Sequence, residues 1–170
     1  MVKRRHSKVT RRQMILASAA CASYPALAIA LPGTLLTLVL RDGTRHDFDE
    51  AALAALPWHE ITTHTIWTEG PQRFRGPRLA DVLSPLAGTP LALALRILHM
   101  RALNDFALNV PASDAWRFGP ILAREANGVP MRVRDKGPLW LVYPRDRIPA
   151  LQDPLMDERW IWQLRQIEIR

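Results

Sequence analysis

The side chains with the widest chemical range in this sequence stand at three places after residue 30. His64 lies between two threonines, Asn104 and Asp105 form a polar pair, and Lys136 lies in the stretch 135–137. An imidazole can bind a metal or carry a proton, and a lysine beside backbone N–H groups suits a phosphate. Each place also has a simpler interpretation, because a strand histidine can be a hydrogen-bonded surface residue and turn residues satisfy local backbone groups. The residues leave both interpretations open.

Several kinds of chemistry have no support in the residues. The only cysteine is Cys21, so the sequence after it offers no thiolate and no disulfide. No spacing of His, Asp or Glu is typical of a zinc site, and no nucleophile elbow, P-loop or dinucleotide-binding fingerprint is present. Ser84 and Ser113 have no evident histidine partner. The residues therefore do not favour thiol, zinc or hydrolase chemistry.

Residues 1–30 differ in kind from the rest of the chain. Six basic residues without an acid precede a short apolar run at 14–20, and alanines at 26, 28 and 30 stand at signal-peptidase spacing. This order predicts a signal peptide and a periplasmic or secreted protein. The run is too short for a lasting anchor, since a spanning helix needs about 20 apolar residues. Arg11 and Arg12 leave twin-arginine export open beside the general route, and Cys21 leaves a lipoprotein as an alternative.

Removal of this leader changes the charge of the protein. The whole chain has 23 basic and 16 acidic residues and a net charge of +7, whereas residues 31–170 have 17 basic and 16 acidic residues and a net charge of +1. A nucleic-acid-binding domain needs a basic face, so we predict no nucleic-acid partner. Residues 31–170 contain no repeats or Gly/Ser linkers and predict a single domain with one core.

The elements that must position the three polar places can be predicted from local signals. Asp42-Gly43 predicts a hairpin between the apolar run 35–40 and residues 44–48, and Asp49 is placed to cap a helix over 50–56. Residues 59–67 are rich in β-branched side chains and predict a strand.

Gly76-Pro77 predicts a helix start, followed by an apolar stripe at helical spacing. We expect strands at 93–103 and 106–110, a short helix after Ser113 and a turn at Asn127-Gly128. In the last strand, Trp160, Trp162 and Leu164 share one face while Ile167 and Ile169 share the other, which predicts a bulge near Arg165.

The order of motifs near the C-terminus resembles a known family. Residues 127–144 read NGVPMRVRDKGPLWLVYP, with two turns and a short apolar strand, and WIWQLRQIEI follows at 160–169. This order resembles the C-terminal part of the molybdopterin-binding domain of the sulfite oxidase family. Residues 74–83 are similar to its Gly-and-helix signature, and residues 103–111 to its segment beside the cofactor. The resemblance covers residues 60–169 and implies an α+β, β-rich sulfite-oxidase-like fold with a few short helices.

The resemblance also implies a site. Members of that family hold molybdenum with a cysteine thiolate, and counting back through the loop places this position at His64 or Thr65. An imidazole or a hydroxyl is not equivalent to a soft thiolate. His64 would be the metal ligand if molybdenum is bound, and Trp140 replaces an arginine of the family. The residues that the resemblance places at the cofactor are His64, Trp67, Asn104, Asp105, Lys136 and Trp140.

Two functions are compatible with these residues. The first is an exported oxidoreductase-like protein that binds a pterin-type or other anionic ligand, with altered or lost redox activity. If it is an enzyme, it is a molybdopterin-dependent oxidoreductase. The second is a non-catalytic periplasmic sensing or interaction module that has kept the fold without the cofactor, with a periplasmic or membrane redox or sensor protein as its partner. No catalytic residue is assigned by either.

Overall fold

The structure is a computed structural model that describes residues 33–170. The predicted signal peptide, its twin-arginine stretch and Cys21 lie outside the described residues. The twelve strands of residues 33–170 are β1 (Leu36–Val39), β2 (Arg45–Phe48), β3 (Trp58–Thr63), β4 (Gln72–Pro77), β5 (Ile97–Ala102), β6 (Ala107–Pro111), β7 (Ile121–Ala123), β8 (Glu125–Ala126), β9 (Val129–Pro130), β10 (Trp140–Val142), β11 (Ile161–Trp162) and β12 (Leu164–Ile169).

The helices of the described residues are short. The α-helices are α1 (Glu50–Ala54), α2 (Leu79–Ala87), α3 (Pro90–Leu93), α4 (Asp114–Arg117) and α5 (Pro154–Asp157), and 3-10 helices cover Val133–Asp135, Arg145–Arg147 and Pro149–Gln152. Within residues 33–170, no helix has the length and apolar character that crossing a membrane requires. The predicted α+β class, rich in strands with a few short helices, is confirmed.

The strands form three sheets. The largest has the order β2-β1-β12-β5-β6, in which β1 and β12 run parallel and the other neighbours run antiparallel. The second has the order β3-β4-β8-β9 and the third the order β11-β10-β7, and both are antiparallel throughout. One connected apolar core contains residues of all three sheets.

Local signals near the start of the domain are confirmed. The turn between β1 and β2 is closed by the Asp42 carboxylate, which accepts a hydrogen bond from the Thr44 backbone N–H at 2.8 Å. Asp49 caps α1 by accepting from the Ala52 N–H at 2.8 Å. This helix ends at Ala54, two residues before the predicted end. Side chains that act on backbone groups two or three residues away need no tertiary partner to specify these structures.

The strand predicted over 59–67 is shorter than expected. β3 ends at Thr63, so the prediction that His64 lies inside a strand is wrong. The His64 backbone N–H donates to the Asp146 carboxylate at 2.9 Å instead of to a neighbouring strand. The Trp67 N–H then donates to the Thr65 hydroxyl at 3.1 Å, which bends the chain into a loop. These two hydrogen bonds take the place of the sheet ladder after Thr63.

The prediction of a helix start at Gly76-Pro77 is also wrong. β4 continues to Pro77, and α2 begins at Leu79. A Cβ added to Gly76 would collide with the backbone carbonyl of Leu122 in β7. The glycine is therefore required by the close approach of two strands and not by a helix terminus. The apolar stripe of α2 is confirmed, because its residues Leu79, Val82 and Leu83 are buried.

The predicted strand at 93–103 begins later than expected. Leu93 ends helix α3, which is capped by the Thr89 hydroxyl, and β5 begins at Ile97. The following turn and β6 are confirmed by antiparallel pairing of β5 with β6. The short helix after Ser113 is confirmed as α4, although the Ser113 side chain makes no capping hydrogen bond.

The C-terminal segment is two strands and not one. β11 pairs with β10, whereas β12 pairs with β1 and β5 in a different sheet. Gln163 separates them with a positive φ of 54°, a left-handed conformation that turns the chain from one sheet to the next. The predicted bulge is confirmed, because the register with β5 shifts between Leu164 and Gln166. The change of face seen in the sequence arises from this turn and the bulge together.

A buried polar network crosses the core. The Tyr143 hydroxyl donates to the Asp114 carboxylate at 3.1 Å, and the Arg159 guanidinium donates to the same oxygen at 2.7 Å. Tyr143 is fully buried and Asp114 is 2% exposed. Burial, followed by the negative charge of Asp114, raises the pKa of Tyr143 well above its ordinary value, so the phenol stays protonated. The network links α4 to the residue that follows β10 and to the chain after α5.

Candidate functional site

Four indole rings form the centre of the candidate site. Trp67 contacts Trp140, Trp160 and Trp162 with ring centroids 6.1, 5.8 and 5.3 Å apart. Trp140 contacts Trp160 at 6.1 Å and Trp162 at 6.3 Å. These separations and the edge-on or tilted angles are the preferred arrangements of aromatic pairs. We call these four residues the tryptophan cluster.

Two different kinds of element hold the tryptophan cluster. Trp140 and Trp162 are register partners in the pair β10–β11, and Trp160 directly precedes β11. Trp67 comes from the loop after β3, where the Thr65 hydroxyl holds its backbone and pairs with the Thr68 hydroxyl at 2.8 Å. Sheet pairing therefore sets Trp140 and Trp162, the residue before β11 supplies Trp160, and a hydroxyl-stabilised loop places Trp67 against them.

A cavity of about 270 Å³ opens beside three rings of the cluster. Trp140 is 2% exposed and lies behind it in the core, in edge contact with Phe74 at 5.2 Å. The volume lies just below the usual range for ligand pockets, about 300–1,000 Å³. The cavity is lined by Trp67, Ala102, Asn104, Phe106, Asp157, Glu158, Trp160, Ile161 and Trp162. We call it the tryptophan cavity.

The turn at Asn104-Asp105 reaches the tryptophan cavity with one of its two polar side chains. Asn104 lines the cavity, and its Oδ1 accepts from the Phe106 N–H at 3.2 Å, so the amide group is oriented by the turn. Asp105 is not a lining residue and forms an ion pair with Arg165 at 2.5 Å. Asn104 therefore both satisfies a backbone group of the turn and lines the cavity.

Lys136 lies on the other side of the tryptophan cluster. It has a left-handed φ of 69°, and its Nζ stands 5.7 Å from the centroid of the Trp140 ring. This is within the range of a cation–π interaction. No carboxylate of residues 33–170 forms an ion pair with Lys136, so its charge is available to an anion.

A single residue missed by the sequence reasoning ties these two turns together. The carbonyl of Gln163 accepts from the Leu103 N–H at 2.9 Å, and its N–H donates to the Lys136 carbonyl at 3.0 Å. Its side-chain amide donates to the Val133 carbonyl at 2.8 Å. The signal that could have found it is the change of face in the C-terminal segment, which requires an irregular residue between Trp162 and Leu164.

His64 is placed differently from the other candidate residues. Its Nδ1 lies 2.8 Å from the Asp146 carboxylate, and its side chain is 56% exposed. His64 lines neither the tryptophan cavity nor the other large cavities of the described residues. Thr65, the alternative for the family's cysteine position, is buried and engaged with Trp67 and Thr68. Burial acts to raise the pKa of Asp146, but the hydrogen bonds from the His64 ring and N–H outweigh it and lower that pKa.

We expect the hydrogen bonds between His64 and Asp146 to make a small, pH-dependent contribution to the free energy of unfolding. A carboxyl whose pKa is lowered on folding stabilises the protein above its ordinary pKa of 3.8, and the contribution is lost as the pH falls below that value. In the Asp146→Asn variant, the free energy of unfolding should therefore fall less steeply between about pH 5 and pH 3 than in the unsubstituted protein. Denaturant unfolding at a series of pH values measures this. Equal slopes in the two proteins would contradict it.

The described residues offer few side chains that could bind a metal ion. No group of three or more His, Cys, Asp or Glu side chains in residues 33–170 is arranged to hold a metal ion. The lining of the tryptophan cavity contains indoles, a phenyl ring, an amide and two carboxylates, and no sulfur donor. The indole N–H of Trp140 is buried, and residues 33–170 offer it no acceptor. The lining of the cavity therefore offers mainly aromatic surface, with one amide and two carboxylates.

Comparison with known proteins identifies a shared fold. A scan against protein-family models gives no match, and a search of curated proteins finds none either. Among solved structures, the crystal structure of the sulfane dehydrogenase SoxCD from Paracoccus pantotrophus matches with a TM-score of 0.60 at 18% identity. The match covers 79% of this chain and 37% of the SoxCD chain, so the protein corresponds to a part of that chain. At this identity the likeness concerns the fold alone.

Proposed function

We propose that this protein is an exported, oxidoreductase-like domain that binds a flat, pterin-type ligand in the tryptophan cavity. The observation that carries the proposal is the position of Trp67, which contacts all three other rings of the cluster while lining an open cavity. Aromatic walls provide large apolar contact with a planar ring and retain defined geometry. The shared fold with a sulfane dehydrogenase and the resemblance to the molybdopterin-binding domain support the same class of ligand.

The polar groups of the cavity complement the edge of such a ring. A pterin presents ring N–H and amino donors beside a carbonyl acceptor. Asn104 Oδ1 is occupied by the Phe106 N–H, which leaves its Nδ2 as a donor toward a carbonyl. Glu158 is exposed and its carboxylate forms no ion pair within residues 33–170, so it can accept from ring donors. Asp157 is already paired with Arg145 at 3.2 Å and is 9% exposed.

The cavity supports the organic part of a molybdenum cofactor better than the metal. When bound, a molybdopterin would supply a dithiolene that holds molybdenum, and Trp67 and Asn104 would contact the pterin. Lys136 does not line the cavity and would bind the phosphate only if that group extends past the tryptophan cluster. We assign no protein ligand to the metal, since the His64 side chain is exposed, is hydrogen-bonded to Asp146 and does not line the cavity. The side chains therefore bind and orient a ligand, and we assign them no step of oxygen-atom transfer.

The cellular setting of the proposal rests on residues 1–30. The basic stretch, the apolar run and the alanines at 26, 28 and 30 favour export to the periplasm or the medium. Export by the twin-arginine route would deliver a folded protein that already holds its ligand. We propose a periplasmic or membrane redox protein as the partner of this form.

The pterin content of the purified protein tests the proposal. The full chain, produced in cells supplied with molybdate, is expected to carry pterin, measured as its fluorescent oxidised form, with molybdenum measured by elemental analysis. Trp67→Ala is expected to lower the pterin content at least about tenfold, because about 1.4 kcal/mol of lost contact has that effect. Trp58→Ala, which removes an indole that does not line the cavity, should leave it unchanged.

The same measurement can contradict the proposal in two ways. Protein that contains neither pterin nor molybdenum removes the cofactor from the proposal. Equal pterin content in Trp67→Ala and the unsubstituted protein places the ligand elsewhere. Molybdenum that is retained with pterin but lost in His64→Ala would show that His64 is the metal ligand after all.

A second candidate function is supported by the surface around the cavity. Ile66, Phe106 and Leu155 are 60%, 55% and 69% exposed, and each lies on a segment that contributes a lining residue. Exposed apolar side chains grouped around a cavity are typical of an interaction surface. This favours a non-catalytic periplasmic sensing or interaction module. Recovery of the same partner by the unsubstituted protein and by Phe106→Asp would argue against it.

A further inference from the structure

A second cavity, of about 320 Å³, lies apart from the tryptophan cavity and is not used by the proposed function. It is bounded by β3, the beginning of α2, the chain before β7 and the segment around the 3-10 helix Arg145–Arg147. The residues that line it are His59, Glu60, Ile61, Arg78, Phe118, Gly119, Ile121, Pro144, Arg147 and Ile148. We call it the arginine cavity, and no residue lines both cavities.

The two arginines of this cavity lack acidic partners. Nine arginines of residues 33–170 form ion pairs with carboxylates, and neither Arg78 nor Arg147 is among them. Their guanidinium groups also make no hydrogen bond to another side chain of the described residues. A guanidinium offers a planar fork of donors that matches a carboxylate or a phosphate. The cavity therefore carries two cations that the fold itself does not neutralise.

A histidine in the same wall is held in place by an acid. His59 Nε2 lies 3.3 Å from Asp81 Oδ2, with the two side chains 32% and 30% exposed. Asp81 Oδ2 is buried and accepts no hydrogen bond within residues 33–170. Its contact with the basic side chain of His59 is the 3.3 Å approach described above. This leaves His59 Nδ1 as the free ring nitrogen. The imidazole adds a third polar group to the wall that carries Arg78.

Glu60, the acidic residue of the lining, does not form an ion pair with Arg78 or Arg147. Side chains alternate between the two faces of a strand. His59 and Ile61 share the inner face of β3, where Ile61 is 4% exposed, whereas Glu60 belongs to the outer face and is opposite Arg75 in the neighbouring strand. The Glu60 side chain is exposed, although Glu60 is one of the residues that line the cavity. An anion in the cavity would thus face two unpaired guanidinium groups, while the nearest acids are Glu60, at the edge of the lining, and Asp81, which contacts His59.

The rest of the lining is apolar. Ile61, Phe118, Ile121 and Ile148 form the walls, and Phe118 is 8% exposed with the Arg117 guanidinium 4.8 Å from its ring centroid. A hydrated inorganic ion gains nothing from such walls, whereas the hydrocarbon body of an organic acid does, by about 25 cal/mol per Å² of buried apolar surface. A volume near 320 Å³ admits a small molecule of this kind.

We propose that the arginine cavity is a binding site for a small organic carboxylate with an apolar body. Arg78 and Arg147 bind the carboxylate, His59 donates to or accepts from a further polar group, and Phe118 with the isoleucines covers the hydrocarbon part. The site is separate from the tryptophan cavity, so its occupancy does not depend on a pterin.

Titration of the purified full chain with benzoate tests this site. Benzoate is expected to bind, and Arg78→Gln and Arg147→Gln are each expected to weaken its binding at least about tenfold, the effect of losing one charge-assisted hydrogen bond of about 1.5 kcal/mol. Arg41→Gln, at an exposed arginine outside this cavity, should bind as the unsubstituted protein does. Thermal unfolding of each variant verifies that it is folded. The titration is followed by calorimetry or by changes in the amide NMR spectrum.

Two further ligands and one variant make the outcome decisive. Benzamide keeps the ring without the charge and should bind far more weakly, and inorganic phosphate keeps a charge without the ring and should do the same. Benzamide or phosphate that binds as tightly as benzoate would overturn the proposal, as would benzoate binding unaffected by both glutamine variants, or no benzoate binding at all. Trp67→Ala should bind benzoate normally, which separates this site from the proposed function.

Discussion

Replacing Asp114 with alanine is expected to lower the free energy of unfolding by about 2–3 kcal/mol, less than for a fully buried ion pair because Arg159 is 30% exposed. The substitution leaves the Arg159 guanidinium without its carboxylate and the buried Tyr143 hydroxyl without its acceptor. Because domains of this size are stable by about 5–15 kcal/mol, the loss is a large share of the total. Urea unfolding followed by tryptophan fluorescence measures it.

Two variants show whether the loss comes from burial. Asp135→Ala removes an acid from an exposed ion pair with Arg132, whose side chains are 45% and 65% exposed, and should cost less than about 1 kcal/mol. Tyr143→Phe removes the hydroxyl and its hydrogen bond while leaving the Asp114–Arg159 pair intact, and should cost less than Asp114→Ala. A loss in Asp114→Ala no larger than that in Asp135→Ala would show that the network does not stabilise the core.

The second large effect is expected at Trp140. Trp140→Ala should destabilise the protein by about 3–5 kcal/mol, the usual cost of truncating a buried large aromatic residue. The ring is 2% exposed and contacts Phe74 and the three other indoles, so the substitution would leave a cavity in the core. Trp140→Phe should cost much less, because it retains an aromatic ring and removes an N–H that has no acceptor in residues 33–170.

Trp67 provides the matched comparison. It belongs to the same cluster but is only partly buried and borders the tryptophan cavity. Trp67→Ala should therefore destabilise the protein less than Trp140→Ala, while having the larger specific effect on pterin content in protein that is still folded. If the two variants lost equal stability and equal pterin content, the division between a core indole and a ligand-facing indole would be wrong.

The candidate site was predictable to different degrees from different residues. The resemblance places Trp67, Asn104, Lys136 and Trp140 at the cofactor, and the structure groups them around one cluster of rings and one residue, Gln163. His64 was selected because it stands at the position of an absent cysteine, and the structure turns it toward Asp146. His64 and Asp146 are separated by 82 positions in the chain, so no local pattern could have indicated their contact.

Errors in the predicted elements have a common cause. Gly76 has the local signature of a helix start, but its position in β4 is decided by the approach of the Leu122 carbonyl from another strand. Likewise, the threonine-rich stretch after β3 has the composition of a strand and is bent because its backbone N–H groups donate to the Asp146 carboxylate and the Thr65 hydroxyl. In both places a tertiary contact outweighs a local preference, which spans only about 1 kcal/mol in strands.

The amino-acid sequence alone specified the hairpin at Asp42, the cap at Asp49, the buried stripe of α2, the bulge near Arg165 and the strand-rich class of the fold. These features depend on hydrogen bonds and apolar periodicity within a few residues, so the local sequence is enough to predict them. Only the tertiary structure decided that Trp67 faces a cavity while Trp140 is buried behind it, and that Arg78 and Arg147 remain without acids. Such outcomes depend on which distant strands and loops come together, because burial and charge pairing are properties of the packed chain.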